Sequence, residues 1–206
     1  MTARLVVLAS GSGTNLAAVI AACTTGALNA QVVGIVSDNS DAGALERAGS
    51  IPTVVVERKG FATRADHDDA LAQAVAAWVP DLVVLAGFMR LLSSAFLDHF
   101  PRRVINLHPA LPGDLPGLHA IERAFHESRT TGRSTTGVMV HFVPDEGIDS
   151  GPVITSQAVP IKPDDTLDTL AARIHAVEHQ LLIEAIAQVL ASPSQHPPTY
   201  SGGQQP

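Results

Sequence analysis

The sequence predicts an α/β protein with a Rossmann-like fold, in which helices cover both faces of a mostly parallel β-sheet. Short runs rich in Val, Ile and Leu alternate with helical segments, and these runs lack the polar alternation of half-exposed strands. A glycine-rich loop separates the first run from the first helical segment. Polar side chains end a later run, at the sheet edge where parallel sheets bind ligands.

The first half of the chain repeats strand and helix. A strand over residues 4–10 leads through the glycine-rich loop 11–15 into a helix that is expected to stop at Gly26. Further strands and helices alternate up to residue 108. The predicted strands cover 31–37, 51–57, 81–87 and 102–108, and the predicted helices cover 41–49, 64–78 and 93–100.

The second half of the chain has a different residue pattern. The segment LPGDLPG at 111–117 contains two prolines and two glycines and is predicted to be a loop, followed by a helix over 120–128. Two more strands, 135–143 and 152–159, bracket the turn-rich loop 144–151. The longest helix is expected at 165–190, because one apolar stripe joins positions 167, 170, 174, 177, 181, 185 and 189.

Length and composition favour one domain. The chain has 206 residues, of which 46% are hydrophobic and 16% charged, so it can bury a substantial core. Residues 1–191 are expected to form this single domain. Residues 192–206 are rich in Pro, Gly, Ser and Gln and are expected to form a disordered tail.

Charge and cysteine content exclude several classes of protein. The net charge is -7 and no basic run occurs, so neither nucleic acid nor a membrane surface is an expected partner. No apolar run is long enough for a membrane helix or a secretion signal. The single cysteine, Cys23, cannot form an internal disulfide, and we expect a cytoplasmic protein. A homodimer remains an alternative to a monomer.

The glycine-rich loop is a candidate phosphate site. Small residues at Gly11 to Asn15 let backbone amides and the positive end of the following helix approach an anion. A tight turn without a ligand is the alternative. Dinucleotide binding is less well supported, because Leu16 occupies the position of the third glycine, although Asp38 could serve as the ribose-binding acid.

The strand ending in Asn106, Leu107 and His108 gives the most specific indication of catalytic chemistry. Side chains alternate along a strand, so Asn106 and His108 share one face where Pro109 ends the strand. An amide and an imidazole in this arrangement can stabilise a developing oxyanion or transfer a proton. Backbone capping by Asn106 and His108 is the structural alternative.

Two further groups are candidates. The loop 144–151 can deliver a carboxylate to the sheet edge to orient an imidazole, and its acids are Asp145, Glu146 and Asp149. Asp145 and Glu146 are expected to be solvated. On the last helix, His175, Glu178 and His179 cluster on one edge of the apolar stripe, as a substrate contact or as a solvated seam. No motif for a metal site or a serine nucleophile occurs.

Taken together, five strings resemble the phosphoribosylglycinamide formyltransferases, folate-dependent enzymes of purine synthesis. The resemblance covers roughly residues 4 to 190, and its N-x-H and D-x-G-P elements are typical of the wider formyltransferase group. Methionyl-tRNA formyltransferase and formyltetrahydrofolate hydrolase share part of the pattern but carry additional domains, for which a chain of this length has no room. The strings are GSGTNL at 11–16, DLVVLAGFMRLL at 81–92, VINLHPALP at 104–112, VHFVPDEGIDSGPVI at 140–154 and RIHAVEH at 173–179.

The resemblance implies a role for each matching residue. It implies formyl transfer from 10-formyltetrahydrofolate, as co-substrate, to glycinamide ribonucleotide, without a metal. The implied catalytic group is Asn106, His108 and Asp149. The nucleotide would be held by Gly13, Thr14, Asn15 and Glu178, and the formylfolate by Arg64, Met89, Arg90, Leu91, Leu92 and Asn106.

One departure of the sequence from the family pattern is a loop. The family usually has a lysine or an aromatic residue before PG, whereas this chain reads HPALPGDLPG, with Asp114 in place of a bulky side chain.

The alternative functions are those of another formylfolate-dependent enzyme, such as a sugar-nucleotide formyltransferase or formyltetrahydrofolate hydrolase, and of a nucleotide-binding module without turnover. An NAD-dependent reductase is a third.

Overall fold

The computed structural model describes residues 2–192. Residues 193–206, and with them nearly all of the expected tail, lie outside the described part of the chain. The strands form one sheet of seven in the order β3-β2-β1-β4-β5-β6-β7. The strands are β1 (Ala3–Leu8), β2 (Ala30–Ser37), β3 (Thr53–Val55), β4 (Leu82–Leu85), β5 (Val104–His108), β6 (Thr135–Phe142) and β7 (Val153–Pro160).

The first five strands are paired in parallel, whereas the two pairings that involve β6 are antiparallel. β6 runs antiparallel to β5, and β7 runs antiparallel to β6. In the β5–β6 ladder Asn106 lies opposite His141, and His108 lies opposite Met139. The sheet is therefore mostly parallel, as predicted, and its antiparallel edge brings a histidine of β6 beside the polar end of β5.

The structure contains all six predicted helices, two of them shorter than expected. They are α1 (Thr14–Thr25), α2 (Gly43–Glu46), α3 (Arg64–Ala76), α4 (Ser94–Leu97), α5 (Ala120–Thr130) and α6 (Leu167–Ala191). The predictions of 41–49 for α2 and 93–100 for α4 were too long. Asp41 is held in an Asx-turn by the side chain of Asn39, and Ser93 is held outside α4 by Asp68. Both contacts lie at the helix starts, and each helix also ends three residues before its predicted end.

Helices cover both faces of the sheet, as predicted. Alternate residues of β1 point to opposite faces, with Leu5 and Val7 on one side and Val6 and Leu8 on the other. The first side packs against α1, α5 and α6, and the second against α3 and α4. Burying both faces explains why the strands read as continuous apolar runs.

Helix α6 buries a wider face than the predicted stripe. A capping box at Thr166 begins the helix, and its buried side includes Leu182 and Ile186, which the stripe omitted. Leu167, which the stripe included, is 37% exposed because it lies in the first turn, at the edge of the fold. One buried position is the charged Glu178.

The carboxyl ends of β1, β4 and β5 lie side by side. β1 has β2 on one side and β4 on the other, so the direction of strand progression reverses here, and open α/β sheets bind ligands at such a point. The loops that follow these strands carry most of the predicted site residues. Within residues 2–192, no helix is both long and apolar enough to cross a membrane.

Candidate active site

A cleft of about 850 Å³ opens at this edge of the sheet. Its volume lies within the range typical of small-molecule sites. All of the predicted site residues except Arg64 line it, so the structure brings both halves of the predicted site together. These lining residues are Gly13, Thr14, Asn15, Met89, Arg90, Leu91, Leu92, Asn106, His108, Asp149 and Glu178.

The glycine-rich loop is held in one conformation at the start of α1. Gly13 has φ +74°, and a Cβ atom there would lie 2.5 Å from Cα of Ala44. The amide of Ala44 donates to the carbonyl of Gly11, and Nε of Arg47 donates to the carbonyl of Ser12 at 2.7 Å. The loop therefore presents a fixed set of amides at a helix N-terminus, an arrangement suited to a phosphate.

β5 places the amide and the imidazole as predicted. Asn106 and His108 point to the same side of the strand end, and His108 is only 4% exposed. Nδ2 of Asn106 donates to Oδ1 of Asp149 and to Nε2 of His141, both at 3.2 Å. Because Nδ1 of His141 lies 2.8 Å from the carbonyl of Phe142, the proton of a neutral His141 is on Nδ1, and Nε2 is free to accept.

Asp149 reaches the same place from the loop between β6 and β7. Its backbone has φ +48°, and the next glycine, Gly151, lies so close to the carbonyl of Phe142 that no other residue fits. The carboxylate oxygen Oδ2 accepts from the amide of Gly117 at 2.8 Å and lies 3.4 Å from Nδ1 of His108. Of the three acids in this loop, Asp149 is the one placed to orient His108.

Burial and hydrogen bonding set the charges of this pair. Burial lowers the pKa of His108 below its usual value, and the charge of Asp149 and the carbonyl of Leu115 offset this effect only in part. Burial alone would raise the pKa of Asp149. The neighbouring His141 and the hydrogen bond from the amide of Gly117 nevertheless bring that pKa below its usual value. Near neutral pH the site therefore holds a carboxylate beside a mostly neutral imidazole.

The far side of the His108 ring contacts the loop before α5. Nε2 of His108 lies 2.9 Å from the carbonyl oxygen of Leu115. A carbonyl can only accept a hydrogen bond, so Nε2 carries the proton of the neutral ring. Nδ1, on the side of Asp149, is then the nitrogen that can gain a proton.

On α6, Glu178 is buried at the cleft wall and is not part of a solvated seam. It is 4% exposed and accepts from Nδ1 of His175 at 2.7 Å and from Nδ2 of Asn15 at 3.3 Å. Its hydrogen bond raises the pKa of His175. The carboxylate thus joins α6 to the glycine-rich loop, whereas His179 does not line the cleft.

The loop after β4 forms the other wall. Its amide at Met89 donates to Oγ of Ser10 at 2.9 Å, and the Arg90 side chain pairs with Asp38. Met89 and Leu91 are 57% and 44% exposed and present an apolar surface to the cleft. Because Ser10 and Arg90 both engage Asp38, this acid is not free to bind a ribose, which disfavours the dinucleotide alternative.

Arg64 is the predicted site residue that the structure places outside the cleft. Its guanidinium pairs with the carboxylate of Glu146. Glu146 also accepts from the backbone amide of Ser94 at 3.1 Å, at the start of α4. Glu146 is exposed, as expected, but its carboxylate also makes these two contacts. Arg64 can meet a ligand only at the rim, beside Glu146.

Three histidines to which the family resemblance assigned no role also line the cleft. They are His119, His141 and His175. His141 could have been found only from the register of β6 against β5. The i, i+3 spacing on the last helix already groups His175 with Glu178 in the sequence. Among the described residues, no group of three or more His, Cys, Asp or Glu side chains is arranged to hold a metal ion.

The fold and the cleft define a formyl transferase. The chain belongs to the formyl transferase family, which it matches over residues 3–186. Its relatives within that family include phosphoribosylglycinamide formyltransferase of Escherichia coli, 41% identical over 180 residues, with 86% of this chain and 82% of the relative covered. The similarity to the trifunctional purine biosynthetic protein adenosine-3 of Drosophila melanogaster is also 41%, over 91% of this chain but 14% of that longer protein.

Solved structures agree with this assignment. Phosphoribosylglycinamide formyltransferase from Bacillus halodurans superposes with a TM-score of 0.85 at 37% sequence identity. The match covers 92% of this chain and 96% of that one. The similarity therefore extends over nearly the full length of both chains.

Proposed function

We propose that this protein transfers the formyl group of 10-formyltetrahydrofolate to the amino group of glycinamide ribonucleotide. The products are formylglycinamide ribonucleotide and tetrahydrofolate, in de novo purine biosynthesis. One observation carries the proposal. The phosphate-type loop at Gly13 and the Asn106, His108 and Asp149 group share one cleft, so a phosphorylated amine can reach a formyl group held beside β5.

The two substrates fit opposite parts of this cleft. The amides at Gly13 to Asn15 bind the nucleotide phosphate, and the buried carboxylate of Glu178 accepts hydrogen bonds from ribose hydroxyls. The formylfolate lies against the wall from Met89 to Leu92, where exposed apolar side chains cover its rings. The formyl carbon then lies between the walls, beside Asn106.

The chemistry follows from the state of the pair. The amine of the nucleotide attacks the formyl carbon, and the carbonyl electrons move to oxygen to give a tetrahedral oxyanion. Asn106 stabilises this oxyanion by turning one amide hydrogen from His141 to the oxygen. The ammonium proton passes to Nδ1 of His108, whose lowered pKa leaves it neutral and able to accept.

The proton then serves the leaving group. The imidazolium is stabilised by Asp149 at 3.4 Å and by the carbonyl of Leu115, and its charge adds to the stabilisation of the oxyanion. Collapse of the intermediate breaks the bond from carbon to N10 of the folate, and N10 takes the proton. Since these groups provide both charge stabilisation and proton transfer, the proposed reaction needs no metal.

The experiment is an assay of the purified protein with both substrates. It follows the formation of formylglycinamide ribonucleotide and tetrahydrofolate, which are expected in equal amounts. A parallel reaction contains EDTA, and further reactions replace the nucleotide with an amino-sugar nucleotide or with water alone. Turnover with glycinamide ribonucleotide, unaffected by EDTA, is expected. Turnover only with a sugar nucleotide or with water would assign a different acceptor, and binding without turnover would indicate a nucleotide-binding module.

A further inference from the structure

The loop 111–117 supplies two backbone groups to the catalytic pair. The carbonyl of Leu115 accepts from Nε2 of His108 at 2.9 Å, and the amide of Gly117 donates to Oδ2 of Asp149 at 2.8 Å. The first contact fixes which ring nitrogen carries the proton, and the second fixes one carboxylate oxygen. The position of this loop therefore affects both members of the pair.

The backbone of this loop is in an unfavourable conformation. Leu115 has φ +44°, in the left-handed region that side chains with a Cβ rarely adopt, and it is only 8% exposed. Such a conformation persists only where the surroundings hold it.

Two arginines hold the loop from outside the cleft. Nη2 of Arg123, on α5, donates to the carbonyls of Leu115 and Pro116, both at 2.7 Å. Arg133, just before β6, donates two hydrogen bonds to the carboxylate of Asp114, from Nη1 to Oδ2 at 2.6 Å and from Nη2 to Oδ1 at 2.9 Å. Asp114 is the residue next to Leu115.

A third group fixes the direction of the Arg133 side chain. Its Nε donates to Oε2 of Glu127, on α5, at 2.7 Å. The guanidinium is thus held by two carboxylates, and the Arg133 side chain is only 22% exposed. Its planar fork suits a paired contact with a carboxylate, which a lysine cannot reproduce.

We infer that Asp114 and Arg133 are positioning residues for formyl transfer, because their ion pair holds the Leu115 carbonyl against His108 and the Gly117 amide against Asp149. The inference rests on the proposed function. It gives a role to the unusual HPALPGDLPG sequence, in which Asp114 stands where a bulky residue is usual. Neither side chain touches a reacting atom, and both act through the backbone of the loop.

The consequence for His108 follows from what faces it. The ring lies near Asp149, His141 and Arg123, and its Nε2 contacts the Leu115 carbonyl. Of these contacts, the carbonyl is the one that moves with Asp114. If the loop loosens, the imidazolium loses a hydrogen-bond acceptor, so the pKa of His108 falls and the proton of the neutral ring is no longer confined to Nε2.

The experiment compares Asp114→Asn and Arg133→Lys with a matched control, Arg173→Lys. Arg173 makes the same paired contact with Asp165, at 2.8 and 2.6 Å, and is 25% exposed, but it lies on α6 outside the cleft. Three quantities are measured for each variant: the melting temperature, kcat and KM for both substrates, and the tautomer and pKa of His108 by 15N NMR of labelled histidine. The His108→Ala spectrum assigns the signal.

If the inference is correct, Asp114→Asn lowers kcat about tenfold, since small displacements of catalytic groups carry large rate penalties, and changes either KM less than about twofold. Arg133→Lys shows a smaller effect of the same kind. In both variants the His108 pKa falls and the Nδ1 tautomer becomes populated. Arg173→Lys lowers the melting temperature to a similar extent but leaves kcat and the His108 signals unchanged.

Other outcomes would overturn the inference. If Asp114→Asn and Arg133→Lys change only the melting temperature, as the control does, the ion pair stabilises the fold and positions nothing. A change in KM without a change in the His108 signals would place Asp114 at a substrate. If the wild-type protein transfers no formyl group, the proposed function fails, while the NMR comparison still decides whether this ion pair positions His108.

Discussion

Nδ1 of His108 lies 3.4 Å from Oδ2 of Asp149, on the side of the ring opposite the Leu115 carbonyl. Both ring nitrogens therefore face protein oxygens. This geometry favours the imidazolium, while burial of the ring disfavours it, and burial prevails. His108 is therefore neutral when the amine binds, and its imidazolium form is stabilised by both oxygens once it has accepted a proton.

The first prediction concerns this pair. His108→Ala should lower kcat about 10²- to 10³-fold, or about 3 to 4 kcal/mol, because it removes both a proton acceptor and a developing positive charge. Asp149→Asn should cost a comparable factor, because the neutral amide no longer stabilises the imidazolium. The losses should not multiply in the double variant, since Asp149 acts through the ring.

The pH profile provides an independent check of the same roles. The acid limb of kcat in the wild-type protein should lie below pH 6.5, where His108 becomes protonated before the amine attacks. Because the charge of Asp149 raises that pKa, Asp149→Asn should move the limb to lower pH. Multiplicative losses together with an unmoved limb would show that Asp149 acts directly on the amine.

A second prediction separates the two substrates. Glu178→Ala should weaken binding of glycinamide ribonucleotide by 10- to 100-fold, which corresponds to about 1.5 to 3 kcal/mol for a charged hydrogen bond, and should leave formylfolate affinity nearly unchanged. Isothermal titration with each substrate measures both affinities. Glu184→Ala, an exposed position on the same helix, is the control. A selective loss of formylfolate affinity would reverse the placement of the substrates.

A third prediction links His175 to stability. The hydrogen bond to Glu178 raises the pKa of His175 in the folded protein above 6.5. Its contribution to the free energy of unfolding is therefore fully present below pH 6.5 and is lost as the pH rises through the higher folded pKa. His175→Gln should remove this part of the pH dependence in urea titrations between pH 5.5 and 8.5.

The control for this measurement is His126→Gln, which removes an exposed histidine on α5. Its pH dependence should match that of the wild-type protein over the same range. If His175→Gln also matches the wild type, the contact with Glu178 does not contribute to folding stability.

The fourth prediction compares two glycines of one loop. Gly13→Ala should destabilise the protein by at least about 1 to 3 kcal/mol, because it forces a side chain into a left-handed conformation and against Ala44. Gly11→Ala meets nothing within 4 Å and should change the melting temperature little. Thermal unfolding tests the pair, and equal effects of the two substitutions would contradict the close packing of Gly13 against α2.

The fold could be predicted from sequence because its signals are local. Strands buried on both faces read as continuous apolar runs, and Gly26 ends α1 as a left-handed cap. The starts of α2 and α4 could not be predicted, since they depend on side chains such as Asn39 and Asp68 that compete for backbone groups. Local propensity does not contain these contacts.

The site residues also differ in whether their signals in the sequence are local. Asn106 and His108 follow from strand alternation, and Gly13 to Asn15 follow from the glycine-rich loop before a helix. The roles of the other assigned residues follow from the family resemblance. His141 and Glu146 depend on partners that are 35 and 82 residues distant in the chain, and no sequence pattern joins them. The opposing contributions to the pKa of His108 also required coordinates, because burial and hydrogen bonding have opposite effects there.

The site is built from two consecutive parts of the chain, which the antiparallel pairing of β6 with β5 brings together. Everything up to the turn at Gly132 contributes the glycine-rich loop, Asn106 and His108, while the remainder contributes Asp149 and Glu178. Neither piece alone holds a complete site. Two fragments produced by a break at that turn could regain activity only by aligning β6 on β5 residue for residue, so formyl transfer would report their reassembly with single-residue accuracy.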